Sequence, residues 1–587
     1  MCGIVGYIGK DKALPIVLNG LKMLEYRGYD SAGVAFIKNK KIIISKEVGR
    51  IKSLEESLNL DEDTYVSIGH TRWATHGEPN KINSHPHKVG KFTVVHNGII
   101  ENHLEIKNNL IKKGYKFKTK TDSEVIPALL DYYYSKCNNI LESIKKTIKD
   151  IIGSYALGIL CDDDIESIYT TRLSSPLIIA KGENGNYIAS DVPAILEYTN
   201  KYILLDDYNI AKINKNSINI YDRDLNEIKY KERIFDGSKE GILKNGYEHY
   251  MLKEINEDKK AFLDTYKYYV ENNQFKDTMP NFKKYKNIHI VACGSAYYVG
   301  LISANLIKEY VNIPVYTEVA SEYRYAKNFY DKNTLVILIS QSGETADTLA
   351  SLKKAKEDGI DTLSIVNVVS SSIARESKYT LYTKAGPEIA VATTKAFVAQ
   401  LTLMTLITIK LSNRLDLLKD FDISRKIDKV LKEDYMVYAK KIYNSSNTFF
   451  IGRSIDYGLC LEGSLKLKET SYINSVAFPS GELKHGTISL IENNTPVIGI
   501  CTSDDIRLKL ISNLKEVKAR GAYVIYVTNE DIKDNFYDMI IKLPKVNSIV
   551  MPILTVIPLQ LIAYYVAKLR KCDIDKPKNL AKSVTVE

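Results

Sequence analysis

The chain has 587 residues, of which 45% are hydrophobic and 26% charged, with 81 basic against 71 acidic side chains and a formal net charge of +10. That length calls for three or four domains, and the composition excludes disordered, collagen-like and disulfide-stapled classes. The positive charge is scattered through stretches such as KKGYKFKTK, and the seven cysteines stand apart with no CxxC pair, so no nucleic-acid partner and no structural metal site is expected.

The chain begins MCGIVGYIG. No charged region precedes a long apolar core, so no secretory leader is expected and a cytoplasmic protein is the default. Initiator methionine is commonly trimmed before a small side chain, which would leave Cys2 with a free α-amine beside its thiol. A thiol with an ordinary pKa of about 8.5 is mostly un-ionised at neutral pH, whereas an α-amine of about 7.7–8.0 is a base poised at working pH. One residue then supplies both nucleophile and base, although a lone cysteine at this position is more often an accident of composition.

To about residue 238 the sequence alternates short β-type runs (KIIISKEVG, KFTVVHNG, YALGILCDD, SIYTTR, PLIIAKGENGNYIAS, SINIYDRD) with helical patterns (ALPIVLNGLKMLEY, SEVIPALLDYYYSK). This predicts an α+β domain over 1–238. FDGSKEGILKNG breaks the pattern, and EHYMLKEINEDKKAFLDTYKYY predicts a connecting helix within a 239–285 linker. From about 286 the rhythm becomes strand–turn–helix, in NIHIVACGSAYYVGLISANLIKEY and TLVILISQSGETADTLASLKKAKEDG. It recurs after 446 in NTFFIGRSIDYGLCLEGSLKLKE and TPVIGICTSDDIRLKLISNLKEVKARG. Two diverged copies of one α/β unit with a doubly wound parallel sheet are predicted, over 286–425 and 446–587. Two apolar stretches raise a membrane question. AFVAQLTLMTLITIKL reads as too short to span, and IVMPILTVIPLQLIAYYVAKL carries Pro552, Pro558, Gln560 and paired tyrosines, which suits a helix buried in a large domain; no membrane partner is expected.

Several stretches carry chemistry. In ILISQSGETADTL, Ser340, Ser342 and Thr345 offer hydroxyls at a helix start and Gly343 permits close approach, which suits a phosphate, although such turns also cap helices with no ligand. The second copy places Asp504 and Asp505 at the equivalent turn, where like charge would repel an anion. In LEGSLKLKET, Glu462, Lys466 and Glu469 share a helical face, either as a surface ion-pair ladder or as a working cluster. His485 lies in SGELKHG, and Lys582 near the end in PKNLAKSVTVE either docks into a site or trails in solvent. In the first part, GHTRWATHGEP holds Arg72 and the single tryptophan, Trp73. Arg72 suits a carboxylate clamp, Asn97 and the Gly98 amide in VVHNGIIEN suit an oxyanion hole, and Asp122 in TKTDSEV suits a substrate amine, although each taken alone is better explained by a turn or by packing.

Taken together these stretches resemble the glutamine–fructose-6-phosphate aminotransferase (isomerising) family over essentially the whole chain. MCGIVGYIG, LEYRGYDSAG, HTRWATHGEP and HNGIIEN resemble its N-terminal-nucleophile glutaminase half; SQSGETADTL, TTKAF, LEGSLKLKE, GELKHG and NLAKSVTVE resemble its two sugar-isomerase units. The resemblance implies that Cys2 attacks glutamine to form a thioester, that Asn97 and Gly98 stabilise the oxyanion, and that Arg72, Thr75, His76 and Asp122 hold glutamine. It makes Trp73 the gate of a passage for ammonia. Ser340, Gln341, Ser342 and Thr345, with Ser295, would bind the phosphate of fructose 6-phosphate, and Val391 and Thr393 would line the sugar site. His485 would open the sugar ring from a partner subunit of a homodimer, Lys582 would form a Schiff base, Glu469 would move the proton between the first two carbons, and Lys466 would assist. No cofactor is implied. Where the family often has Cys-Gly-Thr-Ser, this chain has CGSA, so Ser295 keeps a hydroxyl and Ala296 lacks one; Thr393 stands where serine is common.

Overall fold

The computed structural model describes residues 2–73, 76–235, 243–328, 330–369, 371–531 and 534–585. The chain divides into two compact units, one of residues 1–242 with 583–587 and one of residues 243–582.

The first unit is built on two antiparallel sheets, of eight and seven strands. GIVGYIG becomes the strand Gly3–Gly9, buried along its whole length and flanked by Val66–Arg72 and Gly185–Ala189. A strand covered on both faces reads as a continuous small or apolar run rather than an alternating one. In the second sheet Phe92–Ile100 pairs with Gly153–Cys161. The two sheets face each other across a core of Ile4, Ile8 and Ile68 from one and Val95, Ala156 and Leu160 from the other. Helix Val125–Cys137 and the amphipathic helix Ile140–Asp150 bury Val125, Leu129, Ile144 and Ile148 against the outer face of the second sheet. ALPIVLNGLKMLEY forms helix Ala13–Met23 and a short 3-10 turn, Glu25–Arg27.

The second unit contains two five-stranded parallel sheets with one topology. In the first, 287–292 lies between 315–319 and 334–340, followed by 361–366 and 379–382; in the second, 447–452 lies between 474–479 and 496–501, followed by 523–528 and 539–542. In strand sequence this is the 2-1-3-4-5 order of doubly wound sheets, which opens its ligand crevice at the carboxyl ends of the strands where the order reverses. In the first copy that switch lies between Asn287–Ala292 and Thr334–Ser340, so the turns carrying Ser295 and Ser340–Thr345 meet there. Helices Gly294–Val311, Lys395–Ser412, Ile455–Ser471 and Met551–Leu569 contribute Ile302, Leu306, Phe397, Leu459, Leu467 and Leu554 to one continuous core joining the copies.

Two expectations are corrected. The first apolar stretch is not too short: its helix runs over Lys395–Ser412, eighteen residues, because polar ends extend the apolar run. It and Met551–Leu569 are both long and apolar enough to cross a membrane, but 83% of each apolar window is buried inside the protein, as core helices are. The connecting helix is two helices, Tyr250–Asn256 and Asp258–Tyr269, which part at Glu257.

Candidate active sites

The first site assembles around Cys2. Pairing of Gly3 with Thr71 sets Cys2 beside the end of the strand Val66–Arg72. The Trp73 N–H donates to the Cys2 Sγ at 3.2 Å, and the thiol lies 3.6 Å from the Trp73 carbonyl. Burial pushes the thiol pKa up, while the Trp73 amide and the Arg72 cation draw it back. Asn97 arrives from the facing sheet, and its Nδ2 donates to the Cys2 carbonyl at 3.0 Å. Its Oδ1 is 3.1 Å from His70 Nε2, which also lies 2.9 Å from the His96 carbonyl. Both neighbours are acceptors, so Nε2 carries the proton, and the Asn97 NH2 is thereby turned toward Cys2.

Gly98 follows at φ +132°, and a Cβ there would meet the Ser154 carbonyl at 2.0 Å; only glycine fits, which leaves its amide beside Asn97. Asp122, almost wholly buried, accepts the Ile100 N–H at 2.8 Å. Arg72 is also buried and donates to the carbonyls of His76, Gly77 (2.9 Å) and Glu78 (3.4 Å), so its guanidinium anchors that loop. Thr75 lies outside the described residues. The His76 ring meets His103 edge-on at 5.3 Å.

Sequence reasoning missed the histidines behind Asn97. His70 stacks on His85 at 4.2 Å, His87 meets His85 at 4.4 Å, and the His96 N–H donates to His85 Nδ1. Burial drives all four toward the neutral form, His70 down to about 3. Nothing in a single sequence distinguishes such core histidines from exposed ones.

The second site lies in the second unit. Strand Thr334–Ser340 ends in a turn where the Ser340 Oγ accepts the Gly343 N–H at 3.0 Å and meets Thr345 Oγ1 at 2.9 Å. Gly343 has φ +64°, and a Cβ would lie 1.9 Å from Ser371 Oγ. The Ser342 hydroxyl accepts the Glu344 N–H at 3.2 Å, and the Gln341 carbonyl accepts the Asn367 N–H at 3.0 Å. Thr345 makes no side-chain cap to helix Ala346–Glu357. The second copy fills its equivalent turn with its own carboxylate: Asp456 accepts both the amide (2.8 Å) and the hydroxyl (2.6 Å) of Thr502.

Glu462, Lys466 and Glu469 form a linked triad with Glu462 and Lys466 buried and Glu469 partly so, rather than a surface ladder. Lys466 Nζ lies 2.7 Å from Glu469 and 3.5 Å from Glu462, with Glu462 and Lys466 at most 1% exposed. The Ser295 hydroxyl joins this triad, 3.1 Å from both the Glu462 carboxyl and Lys466 Nζ. Burial raises the Glu462 carboxyl to about 7 despite Lys466, while the two carboxylates outweigh burial and raise Lys466. Ala296 packs on the core joining the copies.

The C-terminal segment docks. The Asp575 side chain accepts the Tyr250 and Met251 N–H groups at 2.9 Å, its carbonyl accepts the Val391 N–H at 3.0 Å, and the Lys578 N–H donates to the Tyr472 hydroxyl at 2.8 Å. Lys582, 4% exposed, then donates to Glu388 and lies 3.4 Å from Thr393 Oγ1. Glu388 was missed, although it stands in the same AGPEIAVATTKAF stretch as Val391 and Thr393. His485 is exposed in the turn after Glu482–Lys484, and its ring has no hydrogen-bond partner among the described residues.

A family model described as a glutamine amidotransferase domain matches residues 70–197, and one described as an SIS domain matches 281–410 and 441–570. The chain is 46% identical to proteins named glutamine–fructose-6-phosphate aminotransferase [isomerizing] from Caldanaerobacter subterraneus subsp. tengcongensis and from Clostridium tetani, with full coverage of both partners in each case. A solved C-terminal domain of glucosamine-fructose-6-phosphate aminotransferase from Francisella tularensis matches with TM-score 0.54 and 35% identity, over 57% of this chain and all of that one.

Proposed function

Because this chain belongs to the glutamine–fructose-6-phosphate aminotransferase (isomerizing) family, enzymes with a glutamine amidotransferase domain followed by two SIS domains, we propose that it moves the amide nitrogen of L-glutamine onto fructose 6-phosphate. The products are glutamate and glucosamine 6-phosphate, the first step of amino-sugar synthesis. The observation that carries the reading is the docked Lys582, a buried amine between Glu388 and Thr393 in the unit that also holds the hydroxyl turn.

In this reading the Cys2 α-amine takes the thiol proton and the sulfur attacks the glutamine amide carbon. The oxyanion forms against the Asn97 NH2 and the Gly98 N–H, and collapses with loss of ammonia to a thioester that water opens to glutamate. Asp122, Thr75 and His76 hold glutamine, and Arg72 acts through the loop it anchors. Ammonia set free in water at neutral pH would be protonated and useless as a nucleophile, so it is kept from solvent, with Trp73 as gate.

Fructose 6-phosphate places its phosphate on Ser340, Gln341, Ser342 and Thr345, with Ser295 adjoining and Val391 and Thr393 along the sugar. His485, contributed across a homodimer interface, opens the ring. Lys582 forms an imine at C2 with loss of water, ammonia displaces the lysine, and Glu469, assisted by Lys466, carries a proton from C1 to C2. The 1–238, 239–285, 286–425 and 446–587 division and a cytoplasmic site of action belong to this proposal. It is tested by incubating the protein with glutamine and fructose 6-phosphate: glutamate and glucosamine 6-phosphate are expected in equal amounts, and glutamate alone would overturn it.

A further inference from the structure

The surroundings of Lys582 contain an acid that the reading above does not use. Glu388 lies in the loop before helix Lys395–Ser412, its side chain fully buried. Its two oxygens are divided between two tasks. Oε1 accepts the Thr394 and Ala396 N–H groups, both at 3.0 Å, and so closes the amino end of that helix; Oε2 faces Lys582 Nζ. The cap alone would account for one oxygen, not for the other.

The groups around it make this acid unlike its neighbours. Glu254, from helix Tyr250–Asn256, accepts the Ile389 and Ala390 amides, and burial together with Glu388 raises its carboxyl to about 8. Asp258, from helix Asp258–Tyr269, is wholly buried with no hydrogen-bond partner on either oxygen among the described residues and is likewise pushed toward the neutral form. Lys395 is engaged by Glu257 at 2.7 Å, and Lys466 by Glu469. Burial would raise Glu388 too, but Lys582 and the two amides outweigh it and hold the carboxyl below the usual range. Among these three buried acids the negative charge resides on Glu388, and it faces the amine that meets the sugar.

We propose that Glu388 is the counter-ion of the Lys582 nitrogen throughout the Schiff-base cycle, first of the ammonium and then of the protonated imine. The inference rests on the Schiff-base reading above. Its chemistry balances without another reactant: an ammonium and a ketone carbonyl give an iminium and water. Glu388 Oε2 accepts one proton, freeing the lone pair that forms the bond from Nζ to C2. That proton and a second from nitrogen leave with the former carbonyl oxygen as water, and the positive charge stays on nitrogen. A fixed carboxylate opposite that atom is paired before and after the bond forms. It keeps the imine protonated, and so electron-withdrawing, when a proton is removed from C1.

The test is reductive trapping. Cyanoborohydride reduces the protonated imine, so the wild-type protein with fructose 6-phosphate should gain a hexitol-phosphate adduct on Lys582, read by peptide mass, and Lys582→Ala should gain none. Glu388→Gln keeps an oxygen for the two helix amides and loses the charge, so its melting midpoint should stay near wild type. The alkaline limb of its trapping profile should move down by about one to three pH units, the displacement expected when an adjacent opposite charge is removed. A superimposable profile would reduce Glu388 to a helix cap and overturn the proposal while leaving the Schiff base intact. Absence of any adduct on wild-type Lys582 would overturn both. If Glu388→Gln melts far below wild type, Glu388→Asp decides: a limb kept at the wild-type pH supports the counter-ion, and a limb displaced to lower pH overturns it.

Discussion

Cys2 is pulled in opposite directions by its surroundings, since burial disfavours the thiolate while the Trp73 amide and the Arg72 cation favour it. Its usefulness therefore depends on contacts made by the next strand and the facing sheet. Cys2→Ala removes only the sulfur, so glutamine-dependent synthesis should fall at least about a thousandfold while synthesis from added ammonium survives. Assay of amino sugar with each nitrogen source checks this, and undiminished use of glutamine would refute the assignment. At this scale much was legible. Cys2, Asn97 and Gly98 could be listed as candidates from residue type and chain position, but only the resemblance of their motifs to one family gave them roles. Glu388 and His70 could not be listed, because each matters only through what folding sets against it: Lys582 from far along the chain, and the amide oxygen of Asn97.

Elements turn such residues into sites by their ends and turns. The Ser340–Thr345 turn needs glycine at 343, where φ is +64° and Ser371 Oγ stands in the way of a Cβ. Gly343→Ala should raise the KM for fructose 6-phosphate at least about tenfold, since left-handed backbone costs a non-glycine residue roughly 1–2 kcal/mol before any clash. Steady-state kinetics with ammonium as nitrogen source measures it, and an unchanged KM would argue against a phosphate in this turn.

The histidine cluster between strands and loops makes a different prediction. Each of His70, His85, His87 and His96 has its folded pKa lowered by burial, so below about 6.5 the unfolded chain binds more protons and stability falls with pH. The loss is about 1.4 kcal/mol per histidine for each pH unit below that value, continuing toward the folded pKa, about 3 for His70. Fluorescence of Trp73, the single tryptophan, follows the first unit alone. Its melting midpoint should drop clearly between pH 7.5 and 5.5, and a constant midpoint would contradict the neutral cluster. The Glu462–Lys466–Glu469 spacing was readable as one helix face, but its burial was not. That burial comes from the first copy's helix, whose Ser295 closes the triad.

Across the whole molecule, the repeat was legible because a parallel strand buried on both faces leaves a β-branched run, and each copy repeats the run-turn-helix rhythm that its 2-1-3-4-5 sheet requires. What the repeat hides is divergence: Asp456 now occupies the second copy's turn, and the docked tail serves one site only. The account joins two chemistries that would be wasteful apart, hydrolysis of an amide and amination of a ketose. Trp73→Ala should uncouple them, so that glutamate exceeds amino sugar; product ratios still near one would remove Trp73 from the gate.

Joining them is the central claim, and isotope competition tests it most directly. The protein would be given fructose 6-phosphate and glutamine carrying heavy nitrogen in its amide, in a large excess of unlabelled ammonium. The account predicts glucosamine 6-phosphate that carries the glutamine label nearly undiluted. Amino sugar labelled only as dilutely as the bulk ammonium would contradict it.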